Sequence, residues 1–330
     1  MPANPPADCS IPPDGSAVTV ICLVVTLCVL WLAWDIRKAK RGHRWVATML
    51  GGMIFGWAVE FINTHDLVSN HHIYCYPAAY ADLFGLRIPI DVGGVPYWVF
   101  VGWGGIIYAS TWTAQRLRLH PWARPIAAAF MAASIDFSLD PVSSLMRFWS
   151  WNYFPVSFTG VPYDNFIGWY LIVFVYSSTA AWLLRLWKGR GPLYEWLGAV
   201  VCAVAALFVF LVIEFALSKV QSYSNDDGHI AAEIFMATTI LGIAVAVFLA
   251  RKPVTDDDPP VNWPAMCVPA VIHAACYVVY FFWSLRSDPA RSPMLVAAIP
   301  INFLAGLFIF VTPWRRTLMA ASVNPPARQP

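Results

Sequence analysis

Nine apolar runs long enough to cross a bilayer, near residues 17–34, 46–62, 96–113, 125–140, 166–184, 196–217, 231–250, 265–285 and 294–313, dominate this 330-residue sequence. A hydrocarbon core about 30 Å thick is spanned by about 20 helical residues, and helix is required because no water is present there to satisfy a free peptide group. The expected fold is therefore an all-α, polytopic membrane bundle of about nine helices. Composition agrees: 59% of residues are hydrophobic and only 12% are charged, against about 25% charged in soluble domains. The runs delimit one transmembrane domain over 17–313 between flexible, Pro-rich tails at 1–16 and 314–330.

Charge sets the expected orientation. With the N-terminus outside, five of the 21 Lys and Arg residues (Arg87, Arg147, Lys219, Arg286 and Arg291) fall on the outer side and the other 16 on the inner side. This positive-inside bias predicts a multi-pass protein of the cell membrane with a cytoplasmic C-terminus. No Lys or Arg precedes the first run, so that run reads as an uncleaved anchor rather than a leader. A net charge of +2, dispersed in short clusters, excludes a nucleic-acid partner. Seven cysteines without a C-x-x-C pair argue against a zinc site and a disulfide framework; Cys9 and Cys75 share the outer side, but nothing in the sequence pairs them.

Against this apolar background the acids stand out. Glu60, Asp136, Asp140, Glu214 and Glu233 all fall at the outer ends of their runs, at one membrane level. An ionised group in hydrocarbon costs about 3 kcal/mol even on insertion scales, so such residues face a bundle interior or a wet cavity, or else lie in the headgroup layer. Asp136 and Asp140 are four residues apart and so share one helix face.

A repeat points to a shared cavity. "GVPYWVFVGW" at 94–103 recurs as "GVPYDNFIGW" at 160–169, with seven identities in ten. Each copy follows an outward-going helix that ends in an acid and opens a helix that returns, so 46–113 and 125–184 read as parallel copies of one hairpin. Pro96 and Pro162 suit a first helical turn. Asn165 replaces Val99 of the first copy with a group able to hold a water.

These strings carry a resemblance. Glu60, the "YCY" at 74–76, "GGVP" at 93–96, "DFSLDP" at 136–141, the W-x-W at 149–151 and "GVPYDNFIGW" together resemble the carotenoid biosynthesis membrane-protein family that includes the bacterial carotenoid 1,2-hydratases. The likeness covers residues 50–170. The 63–92 loop is longer and richer in His than that family's, and the last helices offer no matching string. The resemblance implies addition of water to a terminal isoprenoid double bond of a membrane-dissolved carotenoid, without a cofactor. The partners it implies are the lipophilic isoprenoid substrate itself, drawn from the bilayer, and other membrane enzymes of the carotenoid pathway.

The residues suit that chemistry. Hydrating a trisubstituted alkene requires a carboxylic acid kept neutral by apolar surroundings, a site that tolerates a tertiary cation, and a held water. The candidate catalytic set is Asp136 as proton donor with Asp140, Glu60, Glu214 and Asn165. Trp149, Trp151, Tyr153, Tyr163, Trp169, Tyr74 and Tyr76 are the candidate substrate-binding aromatics, which offer π faces to a cation or, equally, form an interfacial belt. His65, His71 and His72 lack the repeated i+3 or i+4 partners of a di-iron oxygenase, so no metal is expected. No phosphate loop or dinucleotide fingerprint occurs. Two alternatives share these features: a membrane terpenoid cyclase, in which an alkene captures the cation, and a proton-coupled lipid transporter.

Overall fold

The computed structural model describes residues 15–38, 43–65, 74–77, 80–83, 86–116, 121–151, 157–158, 160–187, 190–224 and 263–286, with isolated residues between them such as Cys9, Leu67 and Leu119. Seven long helices run through these segments: α1 (Gly15–Lys38), α2 (His43–Thr64), α3 (Tyr97–Arg116), α4 (Ala123–Leu145), α5 (Tyr163–Leu186), α6 (Pro192–Ser224) and α7 (Trp263–Arg286). Five of them, α1, α2, α4, α5 and α6, carry stretches long and apolar enough to cross a membrane. The expected spans at 231–250 and 294–313, and the tail at 314–330, lie outside the described residues apart from short fragments.

Helix α3 falls short of span hydropathy for a physical reason. Its sequence spends positions on Trp, Tyr, Gly, Ser and Thr, and it packs against α1, α2, α4 and α7 rather than against lipid. Helix α4 is the most enclosed of the five, with 78% of its apolar window buried against 17% for α1, so the two aspartates sit on the innermost wall of the bundle. The apolar faces left outside belong to α1 (Leu23, Leu27, Leu30) and α6 (Val204, Phe208, Val212), as a lipid-facing surface requires.

Small residues fix the closest approach. Gly52 and Gly56 stand one turn apart on α2 and face α3, where Gly104 in turn faces Met49 and Met53 of α2. A Cβ on Gly56 would lie 2.5 Å from the Trp103 Cβ. Gly56→Ala is therefore expected to push Trp103 off its seat at a cost of about 1–3 kcal/mol from overpacking, read as a lower melting temperature of the purified protein.

Beyond the helices, the expectation of an all-α chain needs amendment. Among the described residues, the loops from α2 to α3 and from α4 to α5 contain eight short strands: β1 (Tyr74–Cys75), β2 (Tyr80–Leu83), β3 (Leu86–Pro89), β4 (Asp91–Val92), β5 (Val95–Pro96), β6 (Ser150–Trp151), β7 (Ser157–Phe158) and β8 (Val161–Pro162). All pair antiparallel in twos: β1 with β6, β2 with β3, β4 with β5 and β7 with β8. Strands of two to four residues leave no periodic pattern to read. The β1–β6 ladder joins the two loops, setting Tyr74 opposite Trp151 and Cys75 opposite Ser150. A covalent link ties the segment before α1 to the α2–α3 loop: Cys9 and Cys75 form a disulfide, contrary to the expectation that the cysteines carry no bridge.

The two copies of the repeated string fold alike locally. Gly94 and Gly160 adopt φ of 78° and 82°, where a Cβ is strained, each Val-Pro pair is a two-residue strand, and the helix begins at the following Tyr. Each Pro thus sits one residue before the first helical turn expected for it. Pro162 shows why: its ψ of 143° is extended, which makes it the N-cap.

Candidate functional site

A cavity of about 420 Å³ lies at the end of the bundle that carries the α2–α3 and α4–α5 loops. Its polar wall comes from three helices and one loop, and two carboxylate clusters define it.

The first cluster centres on Glu60, near the C-terminal end of α2. Its Oε1 accepts a hydrogen bond from Trp103 Nε1 at 2.8 Å, and its Oε2 accepts from Tyr76 Oη at 2.8 Å and from Tyr74 Oη. Gly56, one turn before Glu60, makes the space that Trp103 occupies. Burial first, and then the charge of Glu60, hold the Tyr74 and Tyr76 phenols well above the usual tyrosine range, so both remain donors. The charge of Asp140 adds to this effect at Tyr76, so the second cluster lies within electrostatic reach of the first.

That second cluster joins α4 to α5. Asn165 Nδ2 donates to Asp136 Oδ2 at 3.0 Å and to Asp140 Oδ2. Both aspartates are buried, and the Oδ1 of each is reached by no donor. Between the two aspartates on the same helix, Ser138 Oγ lies 3.0 Å from Nδ1 of the buried His273, which ties α4 to α7.

Aromatic rings complete the wall. Trp103 and Trp169, which occupy equivalent places in the repeated string, have ring centroids 4.3 Å apart, and both line the cavity. Tyr74 lies against Trp151 at 5.1 Å and Tyr76 against Trp149 at 6.1 Å. The turn after α4 delivers Trp149: Phe148 N bonds Ser143 O and Arg147 N bonds Ser144 O, with Arg147 in the left-handed conformation at φ 59°.

Of the residues singled out from sequence, the cavity brings together Glu60, Asp140, Asn165, Tyr74, Tyr76, Trp149, Trp151 and Trp169. Asp136 is one layer behind the wall, connected through Asn165. Glu214 does not line the cavity; it lies on α6 within electrostatic reach of Asp164 of α5. Tyr163 opens α5 and is half-buried outside the cavity lining. Tyr153, His71 and His72 lie outside the described residues. Trp103 and Trp98 were not singled out from sequence, although the repeat marked Trp103 as the counterpart of Trp169.

Together these features define a helical membrane protein with carboxylates gathered, under hydrogen-bond control, in an indole-walled cavity within the bundle. The chain belongs to the carotenoid biosynthesis protein family, whose family model matches residues 16–245. That span exceeds the 50–170 stretch of the sequence resemblance and contains every carboxylate of the cavity. It gives the protein a role in carotenoid metabolism. No curated protein and no solved structure matches the chain.

Proposed function

We propose that the protein hydrates a terminal isoprenoid double bond of an acyclic carotenoid or related polyprenoid, without a cofactor. The observation that carries this reading is that Asp140, Asn165 and Glu60 line one cavity inside a membrane bundle of this family.

Asp140 is the proton donor in this mechanism, because it is the aspartate on the cavity wall. Two carboxyls on one helix face, each with an oxygen that no donor reaches, hold a single proton better than none. Asp136 keeps that proton in the pair, and Asn165 fixes the orientation of both. The proton passes from Asp140 to the less substituted alkene carbon, and a tertiary cation forms at the other. Indole faces of Trp103, Trp149 and Trp169 stabilise the cation by about 2 kcal/mol each where desolvated. A water held at Glu60 forms the C–O bond and gives its proton to Glu60. Return of that proton to Asp140 through water restores the site, and the net change is one water added.

Further support comes from the disulfide. A Cys9–Cys75 bridge suits an oxidising compartment, which accords with an N-terminus and a cavity on the outer side of the cell membrane. Duplication of one hairpin accounts for the matching geometry of the two Gly-Val-Pro turns. The reading is tested by incubating membranes containing the protein with an acyclic carotenoid in ¹⁸O-labelled water. Label in a tertiary hydroxyl is expected. An unlabelled cyclic product would make the protein a cyclase, and an unchanged carotenoid accumulating across the bilayer would make it a transporter.

A further inference from the structure

Helices α1 and α7 are joined at one end and splayed at the other. Towards the end remote from the cavity, Leu32 and Ile36 of α1 share a packed cluster with Ala265 and Val268 of α7. Towards the cavity end they part. There α1 packs through Ala17, Ile21 and Val25 onto Trp98, Phe148 and Trp149, whereas α7 packs through Cys276 and Val279 onto Val142 of α4. Ile272 sits at the fork, in contact with both the joined and the α4-side clusters. Among the described residues, no cluster bridges the two helices beyond it.

The cavity occupies this wedge. Residues 16–25 of α1 and 272–279 of α7 form one side of it, almost entirely with aliphatic groups. Val20 lines the cavity and is nevertheless 57% exposed, and the neighbouring Val271, Tyr277 and Val278 of α7 are exposed as well. The carboxylates, Asn165 and the two tyrosines lie on the other side, supplied by α2, α4, α5 and the loop that carries β1. The site thus has an apolar mouth on the lipid-facing surface and a polar end within.

We infer that the α1–α7 cleft is a lateral entrance through which a linear polyisoprenoid slides end-first from the bilayer. A volume of 420 Å³ lies low in the range of small-molecule pockets, so it holds an end group while the polyene stays in the cleft and the lipid. One end of the molecule reacts in each binding event, and an end group already closed into a bulky ring is excluded. The inference rests on the proposed polyisoprenoid substrate, but not on the chemistry that follows binding.

The test uses full-length Asp140→Asn protein in lipid vesicles, with Cys22, Cys28, Cys202, Cys267 and Cys276 replaced by Ala and the Cys9–Cys75 bridge retained. Single cysteines are placed at Val20, at Ala275 and, as a lipid-facing control, at Val204. Each is labelled with a bilayer-soluble maleimide with and without an acyclic C40 polyene, whose retention is followed by its visible absorption. At a polyene concentration of about ten times its Kd, labelling at Val20 and Ala275 should slow about tenfold, following 1 + [L]/Kd, while Val204 is unaffected. Equal labelling with the polyene bound would overturn the entrance and leave the hydratase reading intact. Failure of the polyene to bind would remove the substrate class and the entrance together. In the otherwise native chain, Ala275→Phe should raise KM for the C40 substrate with kcat retained; an unchanged KM also counts against the cleft.

Discussion

Asp140→Asn should reduce hydration about 10²–10⁴-fold, the contribution of a positioned general acid. The amide matches the carboxyl in size, so the cavity keeps its shape and the polyene still binds. What disappears is the proton: no neighbouring group on the wall replaces it, because Asn165 donates only amide hydrogens and Glu60 is held by three donors of its own. Asp136→Asn should also impair turnover, but by a different route. Asp136 has no exposed surface and meets the cavity only through Asn165, so its loss frees Asp140 from its carboxylate neighbour without removing the group that meets substrate. The two variants are separated by residual turnover. With Asp136→Asn, part of the activity should persist, because Asp140 still meets the substrate from the cavity wall. With Asp140→Asn, activity should be low. Product formed per hour by membranes normalised for protein content makes the comparison, and full activity in Asp140→Asn would remove it from the mechanism.

How far the sequence reached can be judged from these same residues. The i, i+4 spacing of Asp136 and Asp140 placed both on one face, and the structure joins both to Asn165. The spacing did not show which aspartate reaches the wall, because that depends on how deeply α4 is sunk among its neighbours. Glu214 illustrates the opposite difficulty. Helix α6 is apolar all round, so its sequence has no polar stripe to fix its rotation, and the bundle leaves Glu214 outside the cavity lining, within electrostatic reach of Asp164. Trp103 was within reach, since the repeat pairs it with Trp169, but its partner Glu60 lies 43 residues away and only helix packing at Gly56 brings them together. The same distance problem hid the Cys9–Cys75 bridge, whose ends are 66 residues apart. The β1–β6 ladder was beyond any periodicity, because two residues have none.

Glu60→Gln should reduce turnover by a comparable 10²–10⁴-fold while leaving the fold nearly untouched, and the hydrogen-bond inventory explains why. Three donors converge on Glu60, but they are not equivalent. Trp103 Nε1–H can only donate, whereas each tyrosine hydroxyl donates or accepts. A glutamine meets this demand by turning its carbonyl oxygen to Trp103 and its amide to the two phenols, whose hydroxyls rotate to accept. The network is preserved, and the lone pair that takes a proton from the attacking water is gone. Glu60→Ala behaves differently, because it leaves the buried Trp103 N–H without its acceptor, at about 1–3 kcal/mol, and takes from both phenols the carboxylate they donate to. The expected pattern is therefore a melting temperature close to that of the unmodified protein for Gln and a clearly lower one for Ala, with hydration lost in both. If Glu60→Gln hydrates its substrate at an undiminished rate, Glu60 serves only to anchor Trp103, Tyr74 and Tyr76, and the proton of the attacking water must leave by way of Asp140.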